Sequence, residues 1–198
     1  MPDPSTLLTE ASVETARLAS ELAKLAGPFA EACRACETCW DAGGKLLVCG
    51  NGGSAADAMH LAEELVARFQ AERPALAALA LCDPTVITCA GNDFGYDAIF
   101  SRQVEALGRP GDVLVVLSTS GNSPNIVAAV EAAKARDMRI VALLGKGGGK
   151  LKGVCDVELI VDADTSHRVQ EMHKVLYHTL CAWADGYALD RHAGAKVG

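Results

Sequence analysis

The stretch KLLVCGNGGSAADAMHLAEEL, residues 45–65, contains the pattern on which the fold depends. A short apolar run (45–49) ends in a loop of glycine, asparagine and serine (50–54), and a helical pattern follows directly. An uninterrupted apolar run is typical of a strand that is buried on both faces, as in a parallel sheet. The stretch therefore predicts a strand, a tight loop and a helix that returns across the sheet.

Four further apolar runs repeat this pattern along the chain. They are ALAALAL (75–81), DVLVVLS (112–118), RIVALL (139–144) and VELIV (157–161). The intervening segments 54–69, 97–107 and 123–136 are long enough to form crossover helices between parallel strands. We therefore predict an α/β fold with a parallel sheet.

Helical segments flank this core at both ends of the chain. Residues 5–41 carry an apolar stripe at steps of three and four, and Gly27-Pro28 predicts a boundary between two helices. A C-terminal helix is predicted at about 166–190, and the tail 192–198 is expected to fray. The 198 residues suit one domain, with the sheet core at about 43–165.

Composition narrows the class of protein. Lys and Arg total 18 against 25 for Asp and Glu, a formal charge of −7, so no general basic surface for nucleic acid is indicated. No apolar run reaches the roughly 18 to 20 residues that span a bilayer. The N-terminus carries acids and prolines rather than the basic and apolar regions of a signal peptide. We expect a soluble, cytoplasmic protein with no membrane partner.

Eight cysteines in a chain of this length are interpreted as reduced, buried thiols rather than a disulfide framework. Cys33, Cys36 and Cys39 form a C-x-x-C-x-x-C run, which is reminiscent of iron–sulfur ligation. The fourth Cys followed by Pro is missing, and the run lies in a helical pattern. These three cysteines are therefore expected to be structural.

The glycine loop after the first strand has three interpretations. It can be a simple strand-to-helix turn, or free backbone N–H groups at the helix N-terminus can bind an anion. Gly50, Gly52 and Ala55 also match the dinucleotide pattern G-x-G-x-x-A, which requires an acid about 20 residues further on. Asp83 is the nearest candidate and lies well beyond that distance. Anion binding is favoured, and the other two remain open.

A second loop carries four hydroxyls around one helix start: Ser118, Thr119, Ser120 and Ser123. A single hydroxyl would suffice for helix capping, with Pro124 at the first helical position. Four can donate several hydrogen bonds to a phosphate without any cation. The absence of G-x-x-x-x-G-K-[ST] argues against a nucleoside triphosphatase. We predict a phosphate site here.

His60, Glu64 and Arg68 are spaced i, i+4 and i+8 on the helix after the glycine loop, so they share one face. Such a row is typically a solvated ion-pair ladder, and it would also suit proton transfer. Gln170 and His178, on the C-terminal helix, fall within roughly 80° of each other around the axis. Periodicity does not show whether these two helices meet.

The three remaining histidines have simpler interpretations. His173 faces away from His178 on the helical geometry, and we interpret it as a partly buried or interface histidine. His167 and His192 show no partner in the sequence and are expected at the surface.

The ordered motifs CGNGGSAADAMHLAEELVARF, GNDFGYDAIFSRQ, LSTSGNSPN and RVQEMHKVLYH resemble those of the sugar isomerase (SIS) domain family, and within it the isomerases of seven-carbon sugar phosphates. The resemblance covers nearly the whole chain. It implies a five-stranded parallel sheet flanked by helices, a flavodoxin-like three-layer sandwich. It also implies a homotetramer with sites near subunit contacts, which the apolar stripe at residues 18–40 could serve.

The activity that the resemblance implies is aldose–ketose isomerisation. Sedoheptulose 7-phosphate would be converted to D-glycero-D-manno-heptose 7-phosphate through an enediol, the first step of heptose biosynthesis for the lipopolysaccharide core. Glu64 and His178 would be the catalytic acid–base pair. Substrate contacts would come from Asn51, Gly52, Gly53, Glu64, Asn92, Asp93, Ser118, Thr119, Ser120, Ser123 and Gln170.

The resemblance further implies one zinc ion per subunit and no nucleotide cofactor. The zinc ligands would be His60, Glu64, Gln170 and His178. Some relatives have an aspartate where His167 stands, so any role of that aspartate is in doubt here. Without the resemblance, Asn92 and Asp93 would be interpreted as an ordinary Asx turn after Gly91.

Two other classes of function compete with the isomerase. Some SIS relatives bind sugar phosphates without catalysis, and one associates with the bacterial replication initiator. That relative lacks the acid–base pair, so the presence of Glu64 and His178 favours the enzyme. A dinucleotide-dependent oxidoreductase is disfavoured by the missing acid and by the hydroxyl-rich loop.

Overall fold

A computed structural model describes residues 1–195 of the chain and contains one sheet of five parallel strands. The strands are β1 (Leu46–Gly50), β2 (Ala78–Ala80), β3 (Val113–Ser118), β4 (Arg139–Gly145) and β5 (Val157–Val161). Their order in the sheet is β2-β1-β3-β4-β5. This is the doubly wound order of a flavodoxin-like sandwich. The α/β prediction and the locations of all five strands are confirmed, but β2 covers only three of the residues predicted at 75–81. Because β2 is an edge strand, it is partly exposed rather than buried on both faces.

Seven α-helices surround the sheet in the described part of the chain. They are α1 (Pro4–Glu21), α2 (Ala26–Asp41), α3 (Gly53–Val66), α4 (Pro84–Phe94), α5 (Ser101–Leu107), α6 (Pro124–Lys134) and α7 (Ser166–Ala195). Short 3₁₀ turns lie at Leu22–Leu25, Tyr96–Ala98 and Lys146–Leu151. None of the described helices combines the length and apolar character that crossing a membrane requires.

Alternate residues of each strand face two separate apolar cores, which gives the three layers. Val48 and Val115 belong to the core beneath α1, α2, α3 and α7. Cys49 and Val116 belong to the core beneath α4, α5 and α6. All five residues of β1 are buried, as its uninterrupted apolar sequence predicts.

The N-terminal helix boundary differs from the prediction. The break between α1 and α2 is the 3₁₀ turn Leu22–Leu25, and Gly27-Pro28 lies inside the first turn of α2. Proline is tolerated there because the first N–H groups of a helix have no intrahelical acceptor. The sequence signal therefore marked the beginning of the second helix and missed the end of the first.

Three other features of the helices differ from expectation. Helix α4 was not predicted, because Gly91, Asn92 and Asp93 near its end are typical of a turn. The helix begins where Asp83 caps it by accepting from the Thr85 and Val86 N–H groups. Helix α3 ends at Val66, so Arg68 does not continue the His60–Glu64 row. Helix α7 continues to Ala195, past the predicted fraying point, and 196–198 lie outside the described residues.

The apolar stripe of the N-terminal helices is covered by the chain's own core. Leu18, Cys33 and Cys36 are at most 5% exposed beneath α7 and the sheet. The stripe therefore serves internal packing and provides no argument for a tetramer, which corrects that part of the prediction. Burial of Cys33, Cys36 and Cys39 agrees with structural thiols, whereas Cys89 is exposed.

The sheet places two loops side by side. Strands β1 and β3 are neighbours, and their crossover connections leave in opposite directions because β2 lies beyond β1 and β4 beyond β3. In open parallel sheets, ligands bind in the crevice at such a switch point, outside the carboxyl ends of the strands. The glycine loop after β1 and the hydroxyl loop after β3 both lie at this point.

Candidate active site

The glycine loop allows α7 to approach the start of α3. Gly52 has φ +55°, a left-handed conformation that favours glycine. A Cβ added at Gly53 would lie 2.6 Å from Nε2 of Gln170. Any larger residue at this position would displace the Gln170 side chain. Gln170 therefore lines the loop, a contact that periodicity along the C-terminal helix could not show.

The hydroxyls of the second loop divide into two groups. Ser118 and Ser120 shape the loop, because their Oγ atoms accept hydrogen bonds from the backbone N–H groups of Gly121 and Asn122 at 3.1 and 3.2 Å. Ser123 occupies the N-cap position of α6, yet its hydroxyl makes no capping hydrogen bond. The capping interpretation thus fails for this side chain, and the Ser123 hydroxyl remains available to a ligand.

A second glycine segment supports the hydroxyl loop from behind. A Cβ at Gly121 would lie 1.9 Å from the carbonyl oxygen of Gly148, and one at Gly149 would lie 2.2 Å from that of Ser120. Asn122 Oδ1 also accepts a hydrogen bond from the Lys150 N–H at 3.0 Å. The hydroxyl loop is therefore held by close backbone packing that only glycine permits.

A pair of asparagines joins the two loops. Asn51, after β1, and Asn125, in the first turn of α6, exchange amide hydrogen bonds of 2.9 and 2.8 Å. The hydroxyl of Tyr96 donates to Asn51 Oδ1 at 3.1 Å. Asn125 is 1% exposed, so its amide needs these partners. Neither Asn125 nor Tyr96 was identified from the sequence, because no motif signals a contact between separate loops.

A cation stands beside the hydroxyl loop. Lys146 follows β4 with φ +50°, which is uncommon for a non-glycine residue, and its Nζ donates to Ser166 Oγ at 3.1 Å. The Thr119 hydroxyl donates to the same Ser166 oxygen at 3.2 Å. The ammonium group therefore lies two hydrogen bonds from Thr119. This residue was missed because the prediction treated the loop as binding phosphate without a cation.

Asn92 and Asp93 occupy the last turn of α4 rather than an Asx turn after Gly91. Both are exposed, and Asn92 Nδ2 donates to Asp93 Oδ1 at 2.7 Å. The residue from this part of the chain that contacts the glycine loop is Tyr96. Substrate contact by Asn92 and Asp93 stays a prediction.

The two helices that carry titratable groups do meet. Glu64 Oε1 lies 3.0 Å from His60 Nε2, and the rings of His60 and His178 are 5.1 Å apart, edge to face. One ligand-type atom from each of these three residues lies within 4.8 Å of the other two. Glu64 and His178, which were predicted as an acid–base pair, therefore lie close together in one cluster with His60.

A buried ion pair fixes this meeting of helices. The Arg73 guanidinium donates to the carbonyl oxygens of Glu64 and Leu65 at 2.7 and 2.8 Å, and to Asp185 Oδ1 at 2.7 Å. Burial opposes ionisation of Asp185, but hydrogen bonds from the Ala71 N–H, Arg73 and the Gln70 N–H outweigh it and lower the pKa of Asp185. Arg73 therefore ties the C-terminal end of α3, where Glu64 lies, to α7.

Three polar residues behind His60 form a connected network. Tyr177 has its hydroxyl 3.1 Å from His60 Nδ1 and 3.1 Å from Oδ1 of the buried Asp57. Lys174 Nζ donates to the same phenol oxygen at 2.7 Å and lies 3.3 Å from Asp57 Oδ1. Burial, followed by the Asp57 carboxylate, raises the pKa of Tyr177, so the phenol keeps its proton.

The histidines of α7 have different environments. Burial lowers the pKa of His178, and the neighbouring His60 and Lys174 add to this effect, so a neutral ring is favoured. His173 is fully buried rather than partly buried, and its ring contacts the Leu144 carbonyl at 3.1 Å. Burial lowers the pKa of His173 to about 4. His167 and His192 are exposed, as predicted.

The His60, Glu64 and His178 cluster fits a zinc ion chemically. His178 Nε2 is buried and has no hydrogen-bond partner among the described residues. Two imidazoles and a carboxylate are donor types that zinc takes in catalytic sites, which leave a further position open. Gln170 contacts the glycine loop from the same helix, and its place in the ligand set stays a prediction.

The family model described as the SIS domain matches residues 12–145. Together with the doubly wound sheet and the paired loops at its switch point, this match shows that the chain belongs to the SIS domain family. The resemblance seen in the motifs is thereby confirmed.

Within that family, the chain is similar to phosphoheptose isomerases. One from Akkermansia muciniphila is 51% identical over 161 residues, which cover 81% of this chain and 85% of the relative. One from Campylobacter jejuni is 48% identical over 173 residues, 87% and 93% of the two chains. The structure of phosphoheptose isomerase from Neisseria gonorrhoeae matches with a TM-score of 0.88 at 43% identity, over 93% of this chain and all of that one. Such similarity over most of each chain makes this protein an isomerase.

Proposed function

We propose that this isomerase converts sedoheptulose 7-phosphate to D-glycero-D-manno-heptose 7-phosphate. The observation that carries the proposal is the meeting of α3 and α7, which brings Glu64 and His178 together while Gln170 lines the anion-binding loop. Gln170 and His178 lie eight residues, roughly two turns, apart on one side of α7, so their side chains can serve the same site.

The phosphate is held at the switch point. Ser118, Thr119, Ser120 and Ser123 surround it with hydroxyl and backbone N–H donors, and the N-termini of α3 and α6 provide positive dipole ends. Lys146 adds a positive charge behind Thr119 and Ser166. The contacts of Asn51, Gly52, Gly53, Asn92, Asp93 and Gln170 with the sugar belong to the same proposal.

The reaction moves one proton between adjacent carbons. Glu64 removes a proton from C1 of the open-chain ketose, and the electron pair forms the C1–C2 double bond of an enediol. His178 assists proton transfer at the neighbouring oxygen. The proton then returns to C2, and the C1 hydroxyl becomes the aldehyde. No atom is gained or lost, and the pair ends in its starting protonation states.

Zinc is proposed as the resident metal, held by His60, Glu64 and His178 with Gln170 as the fourth predicted ligand. When bound, the ion supplies Lewis-acid polarisation of an oxygen near the reacting carbons. The support is the donor set and the buried, unpartnered Nε2 of His178.

A homotetramer and a cytoplasmic location complete the proposal. The support for the tetramer is the family resemblance together with exposed apolar side chains on α3 and α7, Met59, Val66 and Val175. The cytoplasm is where a sugar phosphate substrate would be available. Light scattering at micromolar concentration that gives a monomeric mass would contradict the tetramer.

The decisive experiment follows sedoheptulose 7-phosphate by proton NMR in deuterated buffer with purified protein. We expect product signals together with loss of one C1 proton of the ketose to solvent, because the enediol route exposes the transferred proton to exchange. Binding of the sugar phosphate without turnover or exchange would instead place the chain in the non-catalytic class.

A further inference from the structure

The hydrogen-bond network behind His60 has chemistry that the isomerisation itself does not use. It runs from the buried carboxylate of Asp57 through the Tyr177 hydroxyl to His60 Nδ1. On its other side, His60 Nε2 faces Glu64 Oε1 at 3.0 Å, inside the cluster that includes His178. The two nitrogens of one imidazole ring thus face two different parts of the site.

The chemistry of each group limits where the protons can lie. An imidazole that binds a metal must present an unprotonated nitrogen, so a neutral His60 that ligates through Nε2 carries its proton on Nδ1. That N–H requires an acceptor. The Tyr177 oxygen, 3.1 Å away, can accept a hydrogen bond from this N–H only if the phenol O–H is directed away from His60 and donates to another group. Asp57 Oδ1, 3.1 Å from the phenol, is an acceptor for it.

Lys174 reinforces this direction of the hydrogen bonds. Its ammonium carries only donors, so it donates to the phenol oxygen at 2.7 Å and cannot accept the phenol proton. Lys174 Nζ also lies 3.5 Å from His60 Nδ1, but this distance is too long for more than a weak hydrogen bond, so the phenol is the main partner of the ammonium. It also lies 3.3 Å from Asp57 Oδ1 and partly balances the charge of that buried carboxylate. Asp57 is 7% exposed and is therefore shielded from competing water.

We propose that Asp57 and Tyr177 are positioning residues that hold His60 in the Nδ1–H tautomer and so prepare Nε2 to bind zinc. The chain of donors runs from His60 Nδ1–H to the Tyr177 oxygen and from the Tyr177 O–H to Asp57. Outer partners of this kind orient a histidine ligand and raise its basicity, and their loss typically weakens metal binding by about 10- to 100-fold. The inference rests on the zinc site of the proposed function.

Tyr177→Phe tests the inference because it removes the hydroxyl and keeps the buried ring. Tyr187→Phe is the matched control: Tyr187 lies on the same helix, and its hydroxyl donates to a carboxylate, Asp41 Oδ1, at 2.8 Å. The affinity of the metal-free protein for zinc is measured by competition with a chromophoric chelator. We expect about 10- to 100-fold weaker zinc binding in Tyr177→Phe and wild-type affinity in Tyr187→Phe.

A second measurement separates positioning from a general loss of structure. In the zinc-loaded wild type, NMR should detect the His60 Nδ1–H proton in slow exchange with water, and in Tyr177→Phe that signal should broaden or vanish. Unchanged zinc affinity in Tyr177→Phe, or equal weakening in the Tyr187 control, would overturn the inference. A wild-type protein that binds no zinc but turns over substrate would also overturn it and would leave the isomerase proposal standing.

Discussion

Asn51 and Asn125 exchange two side-chain hydrogen bonds across the sheet's switch point, although they are 74 residues apart in the chain. The pair holds the glycine loop and the start of α6 at a set distance from each other. Since both loops belong to the proposed phosphate site, a small shift of one relative to the other changes where the sugar lies.

Replacement of Asn125 by Ala should therefore harm catalysis without touching a proton carrier. Loss of the pair leaves the amide of Asn51 without this partner, which costs about 1 to 3 kcal/mol of unfolding free energy. A misplacement near 1 Å can cost about 100-fold in rate, so we expect kcat/KM to fall by about 10- to 100-fold. Steady-state kinetics and urea unfolding measure the two effects, and wild-type kcat/KM would show that the pair does not align the loops.

Ser123→Ala should raise KM more than it lowers kcat. Phosphate anchoring stabilises the ground and transition states alike, and a hydrogen bond to a charged group is worth enough to raise KM roughly tenfold or more. Because the Ser123 hydroxyl makes no capping bond, the melting temperature should hardly change. Ser120→Ala should also raise KM.

The control for Ser123 is Asp83→Ala, which removes a working N-cap outside the site. It should lose about 1 kcal/mol of unfolding free energy with little change in KM. A Ser123→Ala variant with unchanged KM and reduced kcat would contradict the anchoring role.

Lys146→Gln should weaken substrate binding through loss of charge. An exposed ammonium beside the phosphate contributes up to about 1 kcal/mol, so KM should rise by about fivefold or less, and the dependence of KM on salt should become weaker. Lys150→Gln is the matched control, since the hydrogen bond from Lys150 to the hydroxyl loop comes from its backbone N–H, which the substitution keeps. Equal effects of the two variants on KM would exclude a specific role for Lys146.

Glu64→Gln preserves the shape of the side chain and removes its basicity. We expect kcat to fall by about 10² to 10⁴, the range typical of lost general acid–base catalysis, while the substrate still binds. His178→Gln should behave similarly, whereas His167→Gln should retain wild-type activity. Rapid-quench or NMR turnover assays measure the effect, and near-normal turnover in Glu64→Gln would remove this residue from the mechanism.

The metal role of the same residues has a different signature. If Glu64 and His178 act mainly as ligands, His60→Ala and Gln170→Ala should be as damaging as Glu64→Gln. Excess zinc should then partly restore the ligand variants. Activity that survives in His60→Ala at all zinc concentrations would instead favour the purely acid–base role of Glu64.

Acid should destabilise the protein through His173. Its pKa is about 4 in the folded protein against 6.5 for the free side chain, because burial disfavours the charged ring more than the Leu144 carbonyl favours it. Between these values the unfolded chain takes up a proton that the folded protein does not. The contribution of the neutral His173 ring to the free energy of unfolding is therefore fully present above pH 6.5. About 3 kcal/mol of it is lost as the pH drops to 4.

Urea unfolding of the wild type and of His173→Gln at several pH values between 7 and 4.5 measures this contribution. The variant should be less stable at pH 7, because a buried ring is lost, and its stability should depend less on pH over this range. Parallel pH profiles of the two proteins would assign the acid sensitivity to other groups. The catalytic activity of His173→Gln should stay near wild type as long as the variant is folded.

The local sequence pattern was sufficient to predict where the strands and most of the helices lie. Buried strands such as Leu46–Gly50 and Val113–Ser118 have uninterrupted apolar sequences, so their burial on both faces could be read directly from residue type. Helix α4 was missed because Gly91, Asn92 and Asp93 near its end are residues typical of a turn, and tertiary contact of Ala90 with the second core helps to hold the helix.

The sequence by itself determined which chemical groups are available and their spacing along each element. Glycine at 52 and 53, hydroxyls at 118–123, and Gln170 and His178 on one helical face are all local facts, and motif order added the family. Only the tertiary structure decided which groups meet across elements. Asn51 with Asn125, Lys146 with Ser166, and Asp57 and Tyr177 with His60 are contacts between distant segments, and periodicity within a helix or strand carries no information about the position of its neighbour.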